Sequence, residues 1–145
     1  MGSRRKSREL AMQMLFQGDL GKHKPAEVET LFWDSREDVD DETRGFADDL
    51  HRLATRREEE VDALIVKHAQ NWRLERMPTV DRNLLRTATA EMLGFPSTPS
   101  AVVINETLEI AKRYAAPESL NFLNGVLDAI GRDLLEQKLK AKPAK

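Results

Sequence analysis

The segment that decides the fold of this chain is Thr79-Val80-Asp81-Arg82-Asn83-Leu84-Leu85-Arg86-Thr87-Ala88-Thr89-Ala90-Glu91-Met92-Leu93-Gly94. Its apolar side chains recur at helical spacing, at Val80, Leu84, Leu85, Ala88, Met92 and Leu93. We expect Thr79 to be the N-cap, because its hydroxyl can accept a hydrogen bond from a free backbone N–H. We expect Gly94 just past the helix end, where left-handed backbone favours glycine. The segment therefore predicts one amphipathic helix with a defined start and end.

Helical spacing is also found upstream of this segment. A first helix is predicted around Leu10 to Leu20, and Pro25 suits the first turn of a second helix. From Phe46 to Ile65 the apolar residues form one stripe, which predicts one long helix. The charged residues 56–60 within this stripe suit a section of helix that faces solvent.

Downstream, two further helices are predicted, from about Ser100 to Tyr114 and from near Ser119 onward. Residues 101–104 are partly β-branched, but the helical spacing that starts at Ile104 argues against a strand. We therefore predict an all-α, single-domain compact bundle of about six or seven helices. The domain is expected to cover residues 1–137, with a basic, disordered tail at 138–145.

Composition excludes several classes of protein. The 145 residues include no cysteine, which excludes disulfides and thiolate metal sites and is compatible with a reducing compartment. No apolar run approaches the ~20 residues of a membrane span, and no secretory signal is found, so a cytoplasmic location is expected. His23, His51 and His68 lie far apart, are expected to be surface or edge residues rather than ligands, and form no HExxH pair. With no phosphate-loop or nucleophile motif either, we expect neither catalysis nor a cofactor.

One short stretch stands out by its charge. In Ser3-Arg4-Arg5-Lys6-Ser7-Arg8-Glu9, four cationic side chains fall within five positions, in a chain whose formal net charge is -2. Such a local excess marks a place where a polyanion could dock, although a basic N-terminus can also be a solvated arm. The charge pattern alone leaves both interpretations open.

Four segments of the chain resemble the NusB family of bacterial transcription antitermination factors. They are residues 8–16 (RELAMQMLF), 80–86 (VDRNLLR), 104–112 (INETLEIAK) and 121–128 (NFLNGVLD), and the resemblance spans residues 4–130. It implies an all-helical bundle that binds the single-stranded boxA element of nascent ribosomal RNA together with NusE, a small-subunit ribosomal protein. It also implies that the pair nucleates an antitermination complex on RNA polymerase and that the chain is not an enzyme.

The resemblance also implies which residues contact RNA, namely Arg4, Arg5, Lys6, Arg8, Arg86, Glu118, Asn121 and Phe122. Arginine offers a planar fork for phosphate oxygens and base edges, and a phenylalanine ring can stack an unpaired base. Two alternatives remain open. Phe122 could belong to the core, and Arg86 could pair with Glu91 or Asp81 on the helix surface.

The face implied for NusE contains Phe16, Glu75 and Asp81. Phe16 stands where the family usually has tyrosine, which puts any hydrogen bond from that position in doubt. An alternative for Asp81 is that its carboxylate stabilises the first turn of its helix. Gly125 is interpreted as a packing residue, since glycine lets a neighbouring helix approach closely.

Two other functions remain as alternatives. The chain could be a stand-alone relative of the RNA-binding domain found in ribosomal RNA cytosine methyltransferases. It could also be a self-associating helical module, in which a homodimer covers the RNA surface. Light scattering with and without RNA would distinguish the second alternative from an RNA-binding monomer.

Overall fold

The computed structural model describes residues 3–141, which form seven α-helices and one short 3-10 turn and contain no strand. The helices are α1 (Arg4–Gly21), α2 (Pro25–Asp34), α3 (Asp41–Arg56), α4 (Glu58–His68), α5 (Thr79–Gly94), α6 (Ser100–Tyr114) and α7 (Ser119–Ala141), and the 3-10 turn is Leu74–Arg76. The prediction of an all-α bundle is confirmed. None of the helices in this part of the chain is long and apolar enough to cross a membrane.

Helix α5 is the centre of the bundle. It packs against α1, α3, α4, α6 and α7, so its apolar residues belong to the main core or pack against it. Because neighbours surround it, α5 also buries polar side chains, among them Asp81, Asn83 and Glu91. A smaller apolar cluster joins α1, α2 and α3 through Leu10, Met14, Val28, Phe32, Trp33 and Ala47.

The single long helix predicted from Phe46 to Ile65 is two helices. Arg57 leaves the helical region, with φ −107° and ψ 27°, and separates α3 from α4. The first turn of α4 is Glu58-Glu59-Glu60, whose carboxylates favour the positive end of a helix dipole. Arg57 Nε also donates to Glu60 Oε1 at 2.8 Å. The acidic residues 58–60 therefore mark the start of α4.

Both predicted ends of α5 differ from the structure. Thr79 is the first helical residue and does not cap the helix with its side chain; the N-cap position is Pro78. Gly94 is the last helical residue rather than the residue beyond it, and its φ is not positive. Glycine is needed here for another reason, since a Cβ built at this position would lie 2.0 Å from Leu53 Cδ2. The buried Leu53 side chain of α3, rather than left-handed backbone, thus favours glycine at position 94.

We expect Gly94→Ala to lower the free energy of unfolding by about 1–3 kcal/mol, because the new methyl group forces the buried Leu53 side chain out of its packed position. Urea unfolding followed by circular dichroism measures the change. Gly125→Ala is the matched control: Gly125 also lies inside a helix, but a Cβ built there would have no atom within 4 Å. This control should be neutral or stabilise by about 0.5–1 kcal/mol. Equal effects of the two substitutions would contradict the packing explanation.

The same observation corrects the interpretation of Gly125, which faces open space rather than a neighbouring helix.

The C-terminal boundary also differs from the prediction. Helix α7 continues through Ala141, so the expected tail at 138–145 begins as helix. Residues 142–145 lie outside the described part of the chain.

Candidate nucleic-acid interface

The cationic stretch is the first turn of α1 rather than an arm ahead of it. Ser3 is the N-cap, and its Oγ accepts a hydrogen bond from the Lys6 backbone N–H at 3.1 Å. The Ser3 N–H donates to Thr43 Oγ1 at 3.0 Å, and Ser7 Oγ donates to the Thr43 carbonyl at 2.8 Å. These bonds hold the end of α1 against α3, so its cations are presented from a fixed position.

Three of these cations are exposed and each has a partner. The Arg4 guanidinium lies 3.8 Å from the centroid of the Phe46 ring. Arg5 donates to both carboxylate oxygens of Glu106, at 3.2 and 2.7 Å, and this hydrogen bonding holds the pKa of Glu106 below its usual value. Lys6 Nζ lies 3.2 Å from a Glu9 oxygen. The Arg5 and Lys6 side chains remain 53% and 48% exposed, so both can reach a ligand.

Arg8 does not belong to this exposed set. Its side chain is 7% exposed, and its Nε and Nη2 donate to the two oxygens of the fully buried Glu91, each at 2.7 Å. Both groups lie between α1 and α5, where a bidentate pair satisfies two charges that water cannot reach. The structure therefore contradicts a direct RNA contact by Arg8 and gives this side chain a role in joining two helices.

Arg86 is also engaged inside the fold. Its Nε and Nη2 donate to the carboxylate of Asp62 at 2.9 and 3.1 Å, and its Nη1 donates to Asp19 at 3.3 Å. An ion pair was one of the two interpretations of Arg86, but its partners are not Glu91 or Asp81. Asp19 also accepts from Arg82 Nε at 2.7 Å, so Arg86 belongs to a network that links α1, α4 and α5.

The start of α7 presents the remaining predicted RNA residues. Glu118 and Asn121 are exposed, and Phe122 is half-buried. Phe122 packs against the main core, while its ring centroid lies 5.7 Å from that of Trp72. The two interpretations of Phe122 are thus compatible, because one side of the ring is packed and part of it is accessible.

A shallow groove connects the two predicted regions. It is lined by Arg5 at the end of α1, by one face of α6 and by Leu120 at the start of α7; the residues from α6 are Asn105, Glu106, Leu108, Glu109 and Lys112. Lys112 pairs with Glu109 and remains 59% exposed. Sequence reasoning missed Glu106 and Lys112 as part of this surface, although both lie in the INETLEIAK segment.

The residues expected to face NusE differ in their exposure. Asp81 is buried where the start of α7 covers the first turn of α5, and it accepts a hydrogen bond from Ser119 Oγ at 2.7 Å. Burial raises the pKa of Asp81. Its expected exposure to a partner is therefore wrong. Phe16 is half-buried against the main core, whereas Glu75 is exposed in the 3-10 turn, with Arg73 Nη1 3.9 Å away.

His51 and His68 are more enclosed by the fold than expected, whereas His23 is exposed. His51 is buried and its Nδ1 lies 2.8 Å from Glu29 Oε2, which corrects the surface position predicted for it. His68 Nε2 lies 2.6 Å from Asp133 Oδ2. Within residues 3–141, no group of three or more His, Asp or Glu side chains is placed to hold a metal ion.

The model of the NusB family matches residues 5–132. The curated transcription antitermination protein NusB of Koribacter versatilis (strain Ellin345) is 58% identical over 139 residues, covering 96% of this chain and 95% of the relative. Among solved structures, T. maritima NusB has a TM-score of 0.83 and 31% identity over 97% of this chain and 99% of its own. A chain from the crystal structure of antitermination factors NusB and NusE in complex with dsRNA has a TM-score of 0.82 and 29% identity, over 90% of this chain and 96% of its own.

Proposed function

This chain belongs to the NusB family, and we propose that it is a transcription antitermination factor that binds single-stranded boxA-type RNA together with NusE. The observation that carries the proposal is the exposed cationic turn formed by Arg4, Arg5 and Lys6 beside a groove that leads to the start of α7. In a chain whose formal net charge is -2, this end concentrates positive charge on one fixed surface.

In this proposal, the cationic turn and the start of α7 contribute differently to RNA binding. Arg4, Arg5 and Lys6 attract phosphates, because arginine forks and lysine ammonium groups form charge-assisted hydrogen bonds with phosphate oxygens. At the start of α7, the Glu118 carboxylate and the Asn121 amide are exposed to hydrogen-bond unpaired bases, and the accessible part of the Phe122 ring can stack one. Arg8 and Arg86 are assigned no RNA contact in this proposal; their ion pairs hold helices of the bundle in position.

The proposal assigns the protein an assembly role rather than a catalytic one. The chain and NusE would together carry boxA-type RNA of ribosomal operons to RNA polymerase and nucleate the antitermination complex there. Of the acidic residues expected on the NusE side, Glu75 remains exposed at 71% and could attract a basic partner.

A gel shift with boxA-type RNA and a scrambled RNA, each with and without NusE, tests the proposal. We expect the boxA-type RNA to bind more tightly than the scrambled RNA, with the largest difference when NusE is present. Equal affinity for both RNAs in the presence of NusE would refute the proposal.

Replacing Arg4, Arg5 and Lys6 together by alanine is expected to weaken RNA binding and to flatten its dependence on salt. Each phosphate contact on single-stranded RNA contributes about −0.7 to the slope of log K against log salt concentration. Removing the three cations should reduce the slope by up to about 2. A titration at several salt concentrations measures this, and an unchanged slope would remove the cationic turn from the interface.

The substitution Glu106→Gln is expected to have the opposite effect on RNA binding from the triple alanine variant. In the free protein the Glu106 carboxylate accepts two hydrogen bonds from Arg5, so it competes with phosphate for the same guanidinium. Neutralising it should tighten RNA binding and steepen the salt dependence while leaving all three cations in place. Weaker binding by this variant would mean that Glu106 orients Arg5 for RNA rather than competing for it.

A further inference from the structure

The two tryptophans of this chain are in contrasting environments. Trp33 is buried, and its indole N–H donates to Asp48 Oδ1 at 2.8 Å. Trp72 is 55% exposed, and within residues 3–141 its indole N–H has no hydrogen-bond partner. An indole is the largest apolar side chain and usually finds both burial and a partner for its N–H. Trp72 has neither, although it lies in a well-packed bundle.

The backbone holds Trp72 in this exposed position. Asn71, directly before it, has φ 70°, a left-handed conformation that asparagine adopts more readily than most residues other than glycine. The Trp72 backbone N–H donates to the Ala69 carbonyl at 3.0 Å in a tight turn after α4, and the 3-10 turn follows at once. The connection thus brings the indole beside α7, where its centroid lies 5.7 Å from the Phe122 ring, with the ring planes tilted by 60°.

The surface beside this ring pair is open and carries charges of both signs. Gly125 lies one turn after Phe122 on α7, and a Cβ built there would have no atom within 4 Å. Gly125 lines a concave surface together with Lys67 of α4, whose side chain is 61% exposed and whose Nζ lies 2.8 Å from Asp133. Arg73, next to Trp72, has a side chain that is 72% exposed. Accessible rings with free space beside them are what a single strand needs to stack a base, and the exposed cations Lys67 and Arg73 would exchange their acidic partners for phosphate.

We propose that Trp72 and Phe122 form a two-ring platform on which single-stranded RNA stacks a further base, so that the RNA site extends from the start of α7 toward α4. The free indole N–H would donate to an oxygen on that base or its sugar. This inference rests on the proposed function and deepens it, because Trp72 lies outside the set of residues that the sequence pointed to. A tryptophan could also anchor a protein partner, and the experiment separates that possibility.

The test compares Trp72→Ala and Trp72→Phe with the wild-type protein in titrations with boxA-type RNA in the presence of NusE. We expect Trp72→Ala to weaken RNA binding by roughly 5- to 150-fold, the range measured for loss of one stacked base. Trp72→Phe, which keeps a ring, should retain most of the affinity. Capture of NusE without RNA should be the same for all three proteins. Unchanged RNA binding by Trp72→Ala, or a loss confined to NusE capture, would overturn the inference.

Fluorescence gives a second readout that does not depend on the alanine variant folding. In Trp33→Phe, Trp72 is the remaining tryptophan of the chain, and stacking of a base on it should quench its emission as RNA is added. In Trp72→Phe, the buried Trp33 should not respond. Absence of quenching at RNA concentrations that saturate the gel shift would also overturn the inference. If wild-type protein does not distinguish boxA-type from scrambled RNA, the proposed function is refuted. If it does, but Trp72 substitutions leave RNA affinity unchanged and RNA does not quench Trp72 emission, only the two-ring platform is refuted.

Discussion

Replacing Glu91 by alanine is expected to lower the free energy of unfolding by about 3–5 kcal/mol. Glu91 is fully buried in α5 and receives two hydrogen bonds of 2.7 Å from Arg8 of α1. Its removal leaves the Arg8 guanidinium, which is 7% exposed, without its principal counter-charge in a region that water reaches poorly. Since a domain of this size is stable by only about 5–15 kcal/mol, urea unfolding should show a large shift of the midpoint.

The matched control removes both charges. In the double variant Arg8→Met with Glu91→Leu, apolar side chains of similar length replace the pair, and replacing both partners of a buried pair is often neutral or stabilising. We therefore expect the double variant to be more stable than Glu91→Ala. If the double variant were the less stable of the two, the loss would come from packing rather than from an unpaired charge.

Replacing Phe122 by alanine is expected to weaken binding of boxA-type RNA by about 1–3 kcal/mol, or roughly 5- to 150-fold. The ring is half-buried, with one side against the main core and its centroid 5.7 Å from that of Trp72. A base stacked on the accessible part of this ring would lose its support in the alanine variant. Fluorescence-polarisation titration with labelled RNA in the presence of NusE measures the effect.

Because Phe122 also contributes to the core, alanine alone does not separate stacking from stability. Phe122→Leu keeps apolar packing but removes the ring, and Phe122→Tyr keeps the ring. We expect the leucine variant to unfold at nearly the wild-type urea concentration and yet bind RNA weakly, and the tyrosine variant to bind well. An affinity for the leucine variant equal to wild type would exclude stacking at this position.

Local pattern predicted the helices of this protein well. The apolar spacing in α5, α6 and α7 repeats every three to four residues, and that periodicity is a property of neighbouring residues in the chain. Family membership could also be predicted, because residues 104–112 and 121–128 carry distinctive side chains in a fixed order. The helix ends were harder to predict from the sequence. Glycine is a common residue at a helix end, but the reason for glycine at position 94 is the Leu53 side chain on another helix.

The site was predictable only in outline, and the cationic stretch shows why. Arg5 and Arg8 are the same residue type three positions apart, yet Arg5 is half-exposed beside Glu106 and Arg8 is buried against Glu91. The partners lie 101 and 83 residues away along the chain, so no local pattern distinguishes the two arginines. Their roles follow from which side of α1 faces α5.

The sequence by itself determined the helical content, the family and the concentration of positive charge at one end of the chain, because these depend on composition and short spacings. Tertiary structure decided which of those charges remain accessible, why Asp81 is enclosed by Ser119, and that Trp72 lies beside Phe122. Burial, pairing and ring contacts arise between helices that are distant in the chain. They are therefore fixed only when those helices pack around α5.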